Sequence, residues 1–117
     1  MSAGQTFSRR LRLLRAAEFE AVMTYRCAVR SRYFQVMSKP NELGHARLGM
    51  IVSKRLFARA VDRNRMRRLI RETFRLSANA LPALDLVVRP SSQPGEGSLA
   101  EDLRVALVSA AAKCGKC

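Results

Sequence analysis

What the chain lacks narrows its chemistry before any motif is read. No apolar run approaches the roughly 20 residues needed to span a bilayer. The N-terminus has no apolar core of about 7 to 15 residues ahead of a small-residue cleavage site. The Arg-rich start, with Glu18 as the first acidic residue, has the composition of an organellar transit peptide, but Phe7 to Met23 reads into the fold. A soluble cytoplasmic protein with no membrane partner is expected. Histidine occurs once, at His45, in a predicted loop where a solvated residue is the ordinary reading. The nine carboxylates, Glu18, Glu20, Glu42, Asp62, Glu72, Asp85, Glu96, Glu101 and Asp102, are scattered. The sequence neighbours Glu18 and Glu20, and Glu101 and Asp102, do not share a helix face. Phosphodiester hydrolysis by protein groups needs clustered carboxylates holding two metals, or an acid and base pair such as two histidines. Neither is present, so no catalytic and no metal-ligating residue is assigned.

Cysteine is sparse and odd in number: Cys27, Cys114 and Cys117. Without framework spacing the set suits a reducing compartment. Cys114 and Cys117 form C-x-x-C, but a zinc site would need two further well-placed ligands, and only Cys27 and His45 are on offer. A reduced, frayed tail over residues 112–117 is expected.

Positive charge is what the chain has in excess. Its 117 residues carry 22 Lys and Arg against 9 Asp and Glu, a formal charge of +13, with 48% hydrophobic residues. That composition supports one folded domain with one modest core rather than a disordered basic tail. A polyanionic partner is the first to consider, and arginine, which outnumbers lysine, recognises phosphate bidentately and stacks on bases. The charge is concentrated between Ser53 and Arg75. Lys54, Arg55, Arg59, Arg63, Arg65, Arg67, Arg68, Arg71 and Arg75 against Asp62 and Glu72 leave +7 of the +13 in one-fifth of the chain. From about Asp62, Met66, Leu69, Ile70 and Phe74 recur at helical spacing, and Asn64, Arg67, Arg68, Arg71 and Arg75 gather opposite them. One face is built to pack and the other to meet negative charge.

The remaining elements follow in order. Residues 1–6 read as a disordered N-terminus, and Phe7 to Arg15 as an extended arm or a helix lead-in. Ala16 to Thr24 reads as a helix with Phe19, Val22 and Met23 on one face. A short strand around Ala28 to Arg30 precedes two alternating segments, Tyr33 to Ser38 and Arg47 to Ser53, separated by the turn residues Pro40, Asn41 and Gly44. These two read as an antiparallel hairpin. The central helix closes near Asn79, before Pro82. Leu84 to Val88 reads as a buried strand, a candidate for parallel pairing with Arg47 to Ser53 through the helical crossover. Ser98 with Glu101 forms a capping box, followed by the apolar face Leu99, Leu103, Ala106, Leu107 and Ala110.

This order, together with Ala60-Val61-Asp62-Arg63-Asn64-Arg65-Met66-Arg67-Arg68-Leu69-Ile70-Arg71-Glu72, resembles the protein subunit of bacterial ribonuclease P from about Phe7 to Leu107. The Arg63-Asn64-Arg65 core, after a strand ending Val52-Ser53-Lys54-Arg55 and at the start of a long amphipathic helix, carries the match. The resemblance implies an α+β fold, a two-layer α/β sandwich in the order α-β-β-β-α-β-α with a short first strand. It also implies a left-handed β-α-β crossover, against the usual right-handed rule. It implies a single RNA-binding domain over 1–117, monomeric when free, whose partners are the catalytic RNA of ribonuclease P and precursor tRNA. The RNA performs the cleavage that removes the 5′ leader; the holoenzyme requires Mg2+, and the protein holds no stable cofactor.

Two surfaces carry over from the resemblance. Lys54, Arg55, Arg59, Arg63, Asn64, Arg65, Arg67, Arg68 and Arg71 match the face that contacts the catalytic RNA. A groove between the first helix and the sheet receives the leader, at Phe19, Met23 and Met37, with Tyr33 as a further stacking candidate on the strand. Two of the three matching positions are methionine where family members often carry rings. A ring stacked on a base contributes roughly 1 to 3 kcal/mol, and a thioether offers a soft apolar contact instead. The rival readings are a ribosomal protein or general RNA chaperone, a DNA-binding helix and a stand-alone ribonuclease. The last lacks a catalytic constellation, and no helix-turn-helix pair precedes the basic helix.

Overall fold

The computed structural model describes residues 11–92 and 98–114. The segment 1–6 and Cys117 lie outside them. In chain order the elements are α1 (Ala16–Tyr25), β1 (Cys27–Arg30), β2 (Phe34–Pro40), β3 (Arg47–Met50), α2 (Ala60–Ser77, followed by a 3-10 turn, Ala78–Ala80), β4 (Leu84–Pro90) and α3 (Leu99–Cys114). Ahead of α1, Arg12 bridges to Leu48 in parallel and Leu13 N–H donates to the Leu48 carbonyl at 2.9 Å, so this part of the arm is extended and covers the edge of β3.

The four strands form one sheet in the order β1-β2-β4-β3. The parallel pairing of β3 with β4 matches the expected crossover, Arg47 to Met50 against Asp85 to Val88. The hairpin expected between the second and third strands does not form. β4 lies between them, antiparallel to β2. The physical reason is the buried run in β4: Leu84, Asp85, Leu86, Val87 and Val88 are all buried, and a strand apolar on both faces belongs in a sheet interior. The turn residues at 40–44 do act, but to carry the chain past the end of β4. Asn41 N–H donates to the Ala83 carbonyl at 3.0 Å, the Asn41 side-chain oxygen accepts from Leu43 N–H at 2.9 Å, and its Nδ2 donates to Asp85 Oδ1 at 2.8 Å. This Asx turn anchors the loop to the strand that separates β2 from β3.

One sheet face, with Phe34, Val36, Leu48, Leu84, Leu86 and Val88, packs on Met66, Ile70 and Phe74 of α2 and on Leu103, Ala106, Leu107 and Ala110 of α3. These are the apolar stripes read from the sequence. The opposite face is smaller: Met37 and Val87 pack with Leu13 and Val22, and Phe19, Ala28 and Ile51 join them partly exposed. The result is an α+β sandwich with α1 laid across the outer face of the sheet. Glu101 N–H donates to Ser98 Oγ at 3.1 Å, which is the N-cap half of the expected capping box.

The C-terminal end departs from expectation. α3 continues through Cys114, which is buried and bonded to Cys27 of β1 in a disulfide. Ala112 to Cys114 are therefore helical rather than a frayed tail, and two of the three cysteines are paired rather than reduced. Separation in sequence, 87 residues, concealed the pair. Spacing motifs detect local ligands and not a helix end folded against an edge strand.

Candidate nucleic-acid interface

α2 begins at Ala60, three residues before Arg63, so Arg63-Asn64-Arg65 spans the end of its first turn. Met66, Ile70, Thr73 and Phe74 are buried, which turns the remaining positions outward. The positive residues are not equivalent there. Arg63 is half-buried and its guanidinium donates to the carbonyls of Phe57 and Ala58 at 2.9 and 3.0 Å, pinning the approach loop to the helix. Arg59 pairs with Asp62 at 2.9 Å and Arg75 with Glu72 at 2.8 Å. The Asp62 carboxyl is held below its ordinary value first by its hydrogen bond from Arg59, and also by the nearby charge of Arg65. Arg67 donates to Asn64 at 3.3 Å. Among the described residues, Lys54, Arg55, Arg65, Arg68 and Arg71 make no ion pair. Arg65, Arg68 and Arg71 recur every three residues, so they form a line of charge outside any ion pair along the helix, with Arg65 near Asp62.

A second surface lies across the sheet under α1. Arg47 holds α1 to the sheet by donating to Glu18 at 2.9 Å and to both carboxylate oxygens of the buried Asp85 at 2.9 and 2.8 Å. Phe19 sits directly over Gly49, where a β-carbon would come within 2.5 Å of the ring. Phe19 and Met37 thus meet on one face as expected, with Met37 almost fully buried and Met23 more open, at 37% exposure, on the helix flank. Tyr33 does not join them. It precedes β2, is 6% exposed, and packs in the larger cluster on the other side of the sheet. Its backbone N–H donates to Asp102 of α3 at 2.9 Å. The alternation that put Tyr33 on the face of Met37 fails because the strand begins one residue later.

The register places three residues in this surface that the sequence reading did not single out. Arg30 stands opposite Gln35, and Gln35 opposite Arg89, across β1, β2 and β4. Arg89 donates to the Gln35 side-chain oxygen. With Arg55 and Ser53 they border a cavity of about 350 Å3. Strand parity was the available signal, since Arg89 lies two residues from Val87 and Gln35 two from Met37. Pairing of β2 with β4 had to be known before the row became visible. Among the described residues, no group of three or more His, Cys, Asp or Glu stands close enough to hold a metal ion, and no helix is long and apolar enough to cross a membrane.

The chain that carries this basic helix and grooved sheet matches the profile of a known family, Ribonuclease P, over residues 7–113. The chain belongs to the ribonuclease P protein family. The ribonuclease P protein component of Chromobacterium violaceum is 40% identical over 111 residues, 95% of this chain and 91% of that protein. That of Chromohalobacter salexigens is 45% identical over 85 residues, 72% of this chain and 66% of the relative. A solved structure of a Staphylococcus aureus ribonuclease P protein mutant with defective mRNA degradation activity superposes with a TM-score of 0.80 at 29% identity, covering 87% of this chain and 89% of that one. The α+β sandwich of this chain is therefore the ribonuclease P protein fold.

Proposed function

We propose that the chain is the protein subunit of ribonuclease P, binding the catalytic RNA and the 5′ leader of precursor tRNA and assisting removal of that leader. The observation that carries this reading is the division of labour between two surfaces. Arg65, Arg68 and Arg71 present a line of charge outside any ion pair. On the sheet, Phe19 and Met23, with Met37 buried beneath them, offer apolar contact beside the cationic row of Arg30 and Arg89. A single-stranded leader needs both, apolar surface for its bases and positive charge for its phosphates.

The contribution of the protein is electrostatic and positional, while the RNA subunit performs the chemistry. Neutralising phosphates where leader and catalytic RNA converge lowers the repulsion between the two RNAs. Mg2+, required by the holoenzyme and bound by RNA, is then retained at lower bulk concentration. No side chain of this protein is assigned a bond-making role.

Reconstitution of the purified chain with a bacterial ribonuclease P RNA and a precursor tRNA at low Mg2+ tests the reading. Stimulated release of the 5′ leader is expected. Cleavage by the protein alone would move the activity to the protein. Absence of stimulation, with tight binding to ribosomal RNA, would make the chain a ribosomal protein or an RNA chaperone.

A further inference from the structure

The arginine line of α2 does not border flat surface. Beside it lies a cavity of about 410 Å3 between the approach loop, the first three turns of α2 and the start of α3. Its apolar wall is built from Leu56, Phe57, Leu69 and Leu99. Its polar groups are Arg59, Asp62 and Arg65. Cavities of this size and make-up, apolar with a few convergent polar groups, are the usual form of a small-ligand site.

The surroundings select the ligand. A free apolar molecule has no use for the two arginines that line it, Arg59 and Arg65, and a phosphate has no use for four apolar side chains inside. A nucleobase still attached to its backbone uses both. Its ring enters among Leu56, Leu69 and Leu99, the Arg65 guanidinium offers a plane to stack on, and the flanking phosphates remain outside with Arg68 and its neighbours. Asp62 supplies the one carboxylate, an acceptor for a base N–H. Its oxygens accept from Arg59 at 2.9 and 3.2 Å, and a carboxylate oxygen can accept more than one hydrogen bond.

We propose that this cavity receives one unpaired nucleobase of the catalytic RNA, extruded from its stack and held between α2 and α3. The proposal rests on the reading of α2 as the face that meets that RNA, and it adds base recognition to what is otherwise a contact with phosphates. It also gives Asp62 a task beyond the first turn of the helix, as the group that favours bases with an exposed amino or imino hydrogen.

Filling the cavity tests it. Leu69→Trp and Leu99→Trp block the same space from two different helices, both at partly exposed positions. Binding of each to a bacterial ribonuclease P RNA is measured against salt, and the Watson–Crick edges of the RNA are probed chemically with and without protein. Expected is a weakening of roughly 5- to 150-fold, the range of one lost base stack, with an unchanged salt slope. One nucleotide protected by the wild-type chain should regain reactivity in both variants. Thermal unfolding of each variant confirms that it is folded, and either one alone suffices for the comparison. Wild-type affinity in a folded variant, or no base protected by the wild-type chain, would overturn the cavity assignment. Failure of the wild-type chain to bind this RNA at all would instead overturn the subunit reading. A loss of self-association in the variants, with RNA binding intact, would reassign the cavity to a contact between two copies of the chain.

Discussion

The Phe19 ring packs directly against Gly49 on the outer side of the sheet, with no room for a β-carbon between them. The glycine is therefore a packing requirement of the groove rather than a turn device. Gly49→Ala forces the Phe19 ring aside, because Leu13 Cδ1 already stands 3.0 Å from the same point. A loss of about 1 to 2 kcal/mol is expected, in the range of an overpacked contact. In a Phe19→Ala background the same substitution should cost much less. Urea denaturation of the four proteins of this cycle measures the coupling, and additive losses would mean that the ring yields freely.

The Glu18 carboxylate ties α1 to its own N-terminus and to the sheet. It accepts the backbone N–H groups of Arg15 and Leu14 at 3.0 and 2.8 Å, and Arg47 at 2.9 Å. These partners, the Arg15 backbone first, hold its carboxyl below the ordinary value of 4.5. A group with a depressed folded pKa contributes stability that is present above its unfolded pKa and lost as pH falls through the folded one. Glu18→Gln should destabilise by about 1 to 2 kcal/mol at pH 7. The gap to wild type should narrow as pH falls below about 4.5. Parallel urea midpoints at pH 7 and pH 3 to 5 check this, and a gap independent of pH would show that the charge of Glu18 is immaterial.

On α2 the arginines should separate into two groups. Arg65→Ala and Arg68→Ala each remove a charge outside any ion pair, and each should reduce the salt slope of RNA binding by about 1 and raise the Mg2+ needed for holoenzyme cleavage. Arg75→Ala removes a charge already paired with Glu72 and should do less. Arg63→Ala should appear mainly as a loss of protein stability, since its donors face the Phe57 and Ala58 carbonyls. Equal effects at all four positions would count against this division.

Reduction of the Cys27–Cys114 bond should destabilise the fold by about 3 to 5 kcal/mol, because the bond closes a long loop in the unfolded chain. Thermal unfolding with and without a thiol reductant measures it. A Cys27→Ala/Cys114→Ala chain should match the reduced protein and ignore the reductant. Unchanged melting of the wild type on reduction would mean that the pair contributes nothing to stability.

Local patterns carried much of this fold in the sequence. The stripe of Met66, Ile70 and Phe74, the Ser98 cap and the buried run at Leu84 to Val88 each depend on neighbours within a few residues, and each appears where expected. The features that were missed depend on partners far along the chain. Insertion of β4 between β2 and β3 is decided by which strand is apolar on both faces, and Cys27 meets Cys114 only after α3 has docked. The site divides the same way. The excess charge of Arg65, Arg68 and Arg71 is legible from composition, whereas the inward use of Arg63 and the row of Arg30, Gln35 and Arg89 need the folded register. Tyr33 shows how little separates the two outcomes, since a strand starting at Phe34 sends its ring to the other side of the sheet.

The disulfide also divides the molecule into unequal cooperative parts. Residues 27 to 114 lie inside one covalent ring, which holds the whole sheet, α2 and α3, while α1 lies outside it. The first helix is attached through the Arg47–Glu18 pair, the Phe19 contact, the buried Val22 and the strand-like bridge at Arg12 and Leu13 ahead of it. Its amides should exchange with solvent through a lower-energy opening than those of β4, whose two strand partners, β2 and β3, both lie within the ring. Groove and arginine face are thereby separable in time, because the helix over the groove can lift while α2 and its arginines stay folded.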